Sequence, residues 1–437
     1  MPQIKKFFFP FILIPLSLIL AFQNYTPGTY LSGWDNLHPE FNFRANLIRS
    51  LFAPWQEDQG LGLLGGMGHA ADLPRQLILF IASIFLPNSF LRYFWHFAML
   101  IIGPLGVYAF IHHLTKNKFG SFLGSAFYLL NLATLQYFYV PFEAFSTFYG
   151  LFPITLFSAI QYLEDPTKRS LALFVVFSVF LIPAFYIQTF FVVYIILLGI
   201  FYISHFKKIG SPNRLRLPLI VFMINAFWLL PVVYFSFSNS SILTTAKTSI
   251  LPTEETILMN QGFGNLTNIA NLRGFWLEYL DGNSTNTDFD YLLPAWRNHV
   301  FSLPFTIVGV TLFVLSFIGI IAQLTNEKSK YRFTFLVVFL VCVLMLTAGA
   351  GALGLPFRIL SNYIPLFGQM FRSPFTKWSG ATAFIISLGL GLFVHFLSKV
   401  QKTRPKVIVP IITLSLFFAM FYQMLPAFGG QFISHTM

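Results

Sequence analysis

One cysteine, Cys342, is all that 437 residues contain. A lone thiol inside an apolar run excludes a disulfide framework and a thiolate metal site. Charge is nearly as scarce. Asp, Glu, Lys and Arg make up 10% of the chain, whereas a soluble domain carries about 25% because its surface must be wetted. No internal repeat is visible, which weighs against transporter folds built on inverted repeats. What is abundant is apolar: 56% hydrophobic residues, with 57 Phe and 18 Tyr lifting the aromatic share to 19%. Mean hydropathy is +0.70. A chain of this composition has lipid as its solvent.

A spanning helix needs about 20 apolar residues to cross a core about 30 Å thick. Such runs occur near 7–22, 90–113, 119–140, 144–162, 170–184, 186–206, 217–235, 301–324, 333–348, 380–398 and 407–427. The sequence therefore predicts an all-α polytopic membrane protein of about eleven spans, forming a single domain over 1–437. Only Pro183–Ala184 separates the fifth span from the sixth. A shorter stretch, Leu77 to Leu86, reads as a re-entrant or interfacial helix. Lys5 and Lys6 precede the first span, which reads as an uncleaved anchor because Ala21–Phe22–Gln23 is a poor cleavage site. With the N-terminus inside, 17 of the 27 basic residues fall in short inner segments that hold only Glu164, Asp165 and Glu327 as acids. The positive-inside rule then places the N-terminus in the cytoplasm and the C-terminus outside. It also assigns the net charge of +12 to membrane orientation and anionic lipid, not to nucleic acid.

Three long loops lie on the outer side, 23–89, 236–300 and 349–379. Ionisable residues are rare in the spans, apart from histidines such as His96, His112, His113, His205 and His395 near span ends. Transport pathways usually need such groups near mid-membrane, so any chemistry is expected in the outer loops. The first loop carries Asp35, His38 and Glu40, closely followed by Arg44 and Arg49. A carboxylate there suits a general base or, with others, a divalent cation such as Mg or Mn held by oxygen ligands. The plain alternative is a solvated turn capping a surface helix over 41–53. Gly60, Gly62 and Gly65 match GxGxxG without the βαβ context that a dinucleotide site requires. They mark a loop packed at the membrane face, with Glu57 and Asp58 available to a site. Glu143 lies in the outer turn before the fourth span, where a lone acid is ordinarily just solvated. In the last loop, Arg372 and Lys377 stand before a span on the side the charge rule disfavours. A guanidinium fork and an ammonium at headgroup depth suit a phosphate, while interfacial anchoring beside Trp378 is the structural alternative. Asn-x-Ser/Thr triplets at Asn24, Asn239, Asn265 and Asn283 carry no weight in Asn-rich loops.

An anchored first span, an acidic first outer loop, short inner loops and a late basic outer loop resemble the GT-C superfamily of membrane glycosyltransferases. The segment Phe367 to Trp378, with Arg372, Pro374 and Lys377, resembles a stretch of the arabinofuranosyltransferases of mycobacterial arabinan and of the YfhO-like membrane proteins. Glu143 falls where the first group tends to show an acid. The resemblance implies an inverting transfer of sugar from a polyprenyl-phosphate donor to a cell-envelope glycan, lipid or protein acceptor on the extracytoplasmic face. It implies Asp35 as the carboxylate that activates the acceptor hydroxyl or holds a metal, with Glu40 and Glu143 assisting; His38, Glu57 and Asp58, in the same loop, are further helpers. Arg372 and Lys377 would hold the donor phosphate. The arabinosyltransferase group continues into a large outer domain, whereas this sequence ends about ten residues past its last span. The expectation is a minimal catalytic module or a piece of a longer chain. The competing classes are a flippase for lipid-linked oligosaccharides, or another transporter, and a non-catalytic protein of envelope assembly.

Overall fold

The computed structural model describes residues 9–33, 37–52, 55–56, 63–64, 69–206, 215–239, 245–282, 288–325, 329–400 and 405–434. Seven helices among these are long and apolar enough to cross a membrane: Asn88–Thr115, Glu143–Glu164, Lys168–Tyr186, Gln188–His205, Arg216–Ser238, Leu303–Leu324 and Pro374–Val400. Three further expected spans appear as shorter apolar helices, Ile12–Gln23, Thr334–Leu346 and Val407–Gln423. The expected span at 119–140 is broken into Lys118–Leu129 and Leu132–Tyr139.

Asn131 makes that break. Its carboxamide oxygen accepts from the N–H groups of Ala133 and Thr134, capping the second helix. Its Nδ2 donates to the carbonyls of Phe127 and Tyr128, closing the first. One side chain thus satisfies backbone groups that a helix end leaves orphaned. The expected separation at Pro183 is also present, as a 3-10 turn over Ile182–Tyr186.

Burial divides the helices into two sets. Glu143–Glu164 and Pro374–Val400 are enclosed by protein, whereas Arg216–Ser238 and Leu303–Leu324 show most of their apolar residues outward. Exposed Phe222, Phe227, Leu230 and Phe237 on the first of these form a face suited to lipid. Small residues let the inner helices approach. A Cβ on Gly120 would stand 2.5 Å from the Gly391 carbonyl, and one on Gly319 would stand 2.0 Å from the Gly389 carbonyl. Backbone-to-backbone approach of this kind substitutes for the hydrophobic drive that lipid removes.

The long segments between the apolar helices contain more than helices. Helices Phe43–Leu51, Leu73–Ala82, Lys247–Gly262 and Leu355–Tyr363 lie outside the long apolar set. The short helix expected over 77–86 is found as Leu73–Ala82, with Phe80 and Ile81 exposed on it and Ile84 and Phe85 exposed just beyond its end. Two short antiparallel hairpins depart from the all-α expectation: Trp55–Gln56 with Leu63–Leu64, and Leu280–Gly282 with Phe289–Tyr291.

Candidate active site

The first turns of two long helices and one short one meet in a buried cluster of charge. Asp72 precedes helix Leu73–Ala82, and Arg75 follows it by three residues, the spacing that puts both on one face. The guanidinium grips the carboxylate with two bonds of 2.7 Å, Nε to Oδ1 and Nη2 to Oδ2. Gln76 Nε2 donates to Asp72 Oδ2 at 3.1 Å and to Ser50 Oγ at 2.8 Å, tying in helix Phe43–Leu51. Arg92, the fifth residue of Asn88–Thr115, donates from Nη1 to the Leu31 carbonyl at 2.6 Å and from Nη2 to the Pro141 carbonyl at 2.8 Å. Glu143 opens the next long helix. Its Oε1 lies 3.2 Å from Arg92 Nη2 and 3.6 Å from Arg75 Nη1. Both guanidinium side chains are only 1% exposed. Charges this deep persist only when they are paired.

Glu40 and His38 complete the chain. Pro39–Phe41 is a 3-10 turn, and the helix that follows, Phe43–Leu51, is capped by Asn42. His38 Nδ1 lies 3.0 Å from Glu40 Oε1, and His38 Nε2 lies 3.1 Å from Arg92 Nη1. An arginine can only donate, so the consistent tautomer carries its proton on Nδ1, toward the carboxylate. Burial pushes the Glu40 carboxyl up. The His38 hydrogen bond, the backbone N–H of Glu40 and the Arg92 charge outweigh that and hold it below the ordinary carboxylate range. Burial alone would lower the Arg75 pKa, but the Asp72 and Glu143 carboxylates raise it.

Lys377 belongs to a second arrangement at the same end of the bundle. It stands in the first turn of Pro374–Val400, a turn pinned by Tyr137, whose hydroxyl donates to the Thr376 carbonyl and accepts from Gly380 N. The ammonium lies 5.1 Å from the Phe145 ring centre and 5.7 Å from that of Phe190. Phe145 in turn packs on Phe190 and Trp276. The aromatic seat fixes a cation by its ring faces. Glu143 and Phe145 are two residues apart on one helix, so their side chains point about 200° apart. The carboxylate cluster and Lys377 therefore flank the N-terminus of that helix on opposite sides.

The structure thus brings Glu40, His38 and Glu143 together around Arg92 and sets Lys377 apart on an aromatic floor. Arg372 is exposed in the turn before Lys377's helix. Glu143 is not the solvated turn residue that its position suggested. Asp35, Glu57 and Asp58 lie outside the described residues. The sequence reading missed Asp72, Arg75 and Arg92, and the signal was available in the Asp72–Arg75 spacing and in an arginine at the head of an apolar run. Among the described residues no group of three or more His, Cys, Asp or Glu is arranged to hold a metal ion. The cluster's carboxylates already face Arg75, Arg92 and His38, so these residues do not fit a divalent cation.

No family model matches the chain, and no curated protein matches it. Among solved structures it is similar to the mycobacterial arabinofuranosyltransferase AftD, with a TM-score of 0.55 at 14% sequence identity. The match covers 98% of this chain and 27% of that one, so the chain spans about a quarter of that protein's length. At this identity the likeness is one of fold. The fold resembles that of AftD, and with seven helices long and apolar enough to cross a bilayer it is that of an integral membrane protein.

Proposed function

We propose that the chain is a membrane glycosyltransferase that takes a sugar from a polyprenyl-phosphate donor and passes it to a cell-envelope acceptor on the extracytoplasmic face. The observation that carries this reading is Lys377. A cation seated on Phe145 and Phe190, in the first turn of a 27-residue helix, adds to the positive end of the helix dipole and offers a seat for phosphate. Arg372 stands just before it, and the GT-C-like fold supports the class of chemistry.

In this mechanism the acceptor oxygen attacks the anomeric carbon, and its proton passes to Asp35. The bond from that carbon to the phosphate oxygen breaks, and the polyprenyl phosphate leaves with the electron pair. Lys377, Arg372 and the helix N-terminus stabilise that charge. Glu143 and Glu40 are positioning residues that fix Arg92 and so the outer end of Asn88–Thr115. No step passes through a cation. The transporter reading gains nothing from the buried charges, because Arg92 and Glu143 stand near the starts of their helices, not at mid-span.

The donor site is tested at Arg372. Arg372→Lys keeps the charge and loses the planar fork, so a labelled polyprenyl-phosphate analogue should bind more weakly by about 1–3 kcal/mol. Equal binding by wild type and Arg372→Ala would remove Arg372 from the site. Sidedness is tested by thiol labelling in intact cells. Thr267 and Thr325 are both exposed and lie at opposite ends of helix Leu303–Leu324, since Arg273 bonds Thr306 near its start. Thr267→Cys should react with an impermeant reagent from outside and Thr325→Cys only after lysis. The reverse pattern would place the candidate site in the cytoplasm.

A further inference from the structure

A cleft of about 500 Å³ opens at this same end of the bundle, lined by Glu278, Arg297, Asn298, Phe301 and Ser302. Trp276 places it near the candidate site. Trp276, two residues before Glu278, packs against Phe142 and Phe145, and Phe145 seats Lys377. Ser302 caps helix Leu303–Leu324, so the cleft lies where that helix would meet the bilayer surface.

The cleft is built on a fixed arginine. Arg297 donates from Nη1 to the Leu277 carbonyl at 2.6 Å. Its guanidinium lies 3.6 Å from the Tyr291 ring centre and 5.7 Å from that of Phe301. On the far side Arg273, bonded to the Val300 carbonyl and to Thr306, lies 5.3 Å from the Phe301 ring. Both rings keep 41% of their surface exposed, so each still offers an apolar edge or face to a ligand. Among the described residues the Glu278 and Asn298 side chains are engaged in no hydrogen bond or ion pair. The lining therefore combines ring carbon with free planar acceptors and donors.

Charge selects the ligand class. Glu278 and Arg297 cancel within the cleft. The adjoining hairpin sets Asp281 directly opposite Asp290, with Asp288 at its edge. These carboxylates disfavour an anionic ligand such as phosphate or nucleic acid. A pyranose or furanose presents a C–H face to Phe301 and Tyr291, and its hydroxyl pairs suit carboxylate, carboxamide and hydroxyl partners. We infer that this cleft binds a neutral oligosaccharide and is the acceptor subsite, an assignment that rests on the proposed glycosyl transfer.

The test uses the full chain in lipid nanodiscs, with neutral tetrasaccharides of arabinose, mannose and glucose as probes and saturation-transfer NMR titration as the readout. At least one should bind, and Glu278→Ala and Asn298→Ala, both at exposed positions, should each weaken it about tenfold. Tetragalacturonate should bind less well than the neutral probes. Binding of a polyprenyl-phosphate analogue should be unchanged in both variants. The inference is overturned if no neutral probe binds, if both variants bind as tightly as wild type, or if tetragalacturonate or tetralysine is preferred. A wild type that binds the saccharide in the cleft but no polyprenyl phosphate would keep the glycan subsite and remove the transferase. One that binds polyprenyl phosphate but no saccharide would do the reverse.

Discussion

Asp35→Asn is expected to fold, insert and bind donor as the native chain does, yet to transfer sugar about a hundred- to ten-thousand-fold more slowly. The amide keeps the shape of the carboxylate and loses its ability to take the acceptor's proton. The described residues on either side, Leu31 and His38, both reach the buried cluster. Leu31, four residues earlier, accepts from Arg92 through its carbonyl, and His38, three residues later, contacts the same guanidinium. Glu57→Gln should cost far less, since the resemblance gives that residue only a helper's part. The informative measurement is single-turnover transfer from a radiolabelled polyprenyl-phosphate sugar, alongside donor binding. Full transfer by Asp35→Asn with loss in Glu57→Gln or Glu143→Gln would move the base to that residue. No loss in any of the three favours the scaffold reading over an enzyme.

Most of the helical frame was legible because it rests on one-dimensional facts. Length and hydropathy mark Leu303–Leu324 or Arg216–Ser238 without knowledge of any neighbour. All of Asn88–Thr115, Glu143–Glu164, Leu303–Leu324 and Pro374–Val400 begin at one end of the bundle, tied there by Arg92 to Glu143, Lys377 to Phe145 and Arg273 to Thr306. Alternation along the chain asks this of even-numbered spans. The break at Asn131 was not legible, because 119–140 is apolar throughout and only the carboxamide's four backbone bonds reveal it. The site divided along the same line. Lys377 announces itself by standing on the disfavoured side of a span. Its aromatic floor does not, since Phe145 and Phe190 are two among 57 Phe. The buried arginines were obscured by averaging: one charge at the head of a 28-residue helix barely lowers its hydropathy. Pairing between Arg75, Arg92 and Glu143 is a property of three elements, and no window along one of them contains it.

That pairing sets the largest expected effect on stability. Arg92→Met leaves the Glu143 carboxylate buried with Arg75 as its remaining guanidinium, 3.6 Å away, and strips the Leu31 and Pro141 carbonyls of their donor. Removing one member of a buried pair typically costs about 3–5 kcal/mol, most of it from the charge left behind. Glu143→Gln should cost less than Arg92→Met. It leaves two guanidinium groups facing a neutral amide, but Arg75 keeps its two bonds to Asp72 and Arg92 keeps its two carbonyls. It also loses a carboxylate favourably placed at a helix N-terminus, worth about 0.3–1 kcal/mol. The double variant removes both uncompensated charges, so its loss should fall short of the sum of the single losses by about 1–3 kcal/mol. It should not return to the native value, because the two carbonyls remain unmatched. Denaturation of the four proteins in one detergent gives the cycle directly. Simple additivity would mean that Arg92 stabilises through its carbonyl bonds alone and that Glu143 is free to serve the reaction. A coupling of the expected size, with donor binding unchanged in Glu143→Gln, would assign the carboxylate to holding the helix ends on which both halves of the site are built.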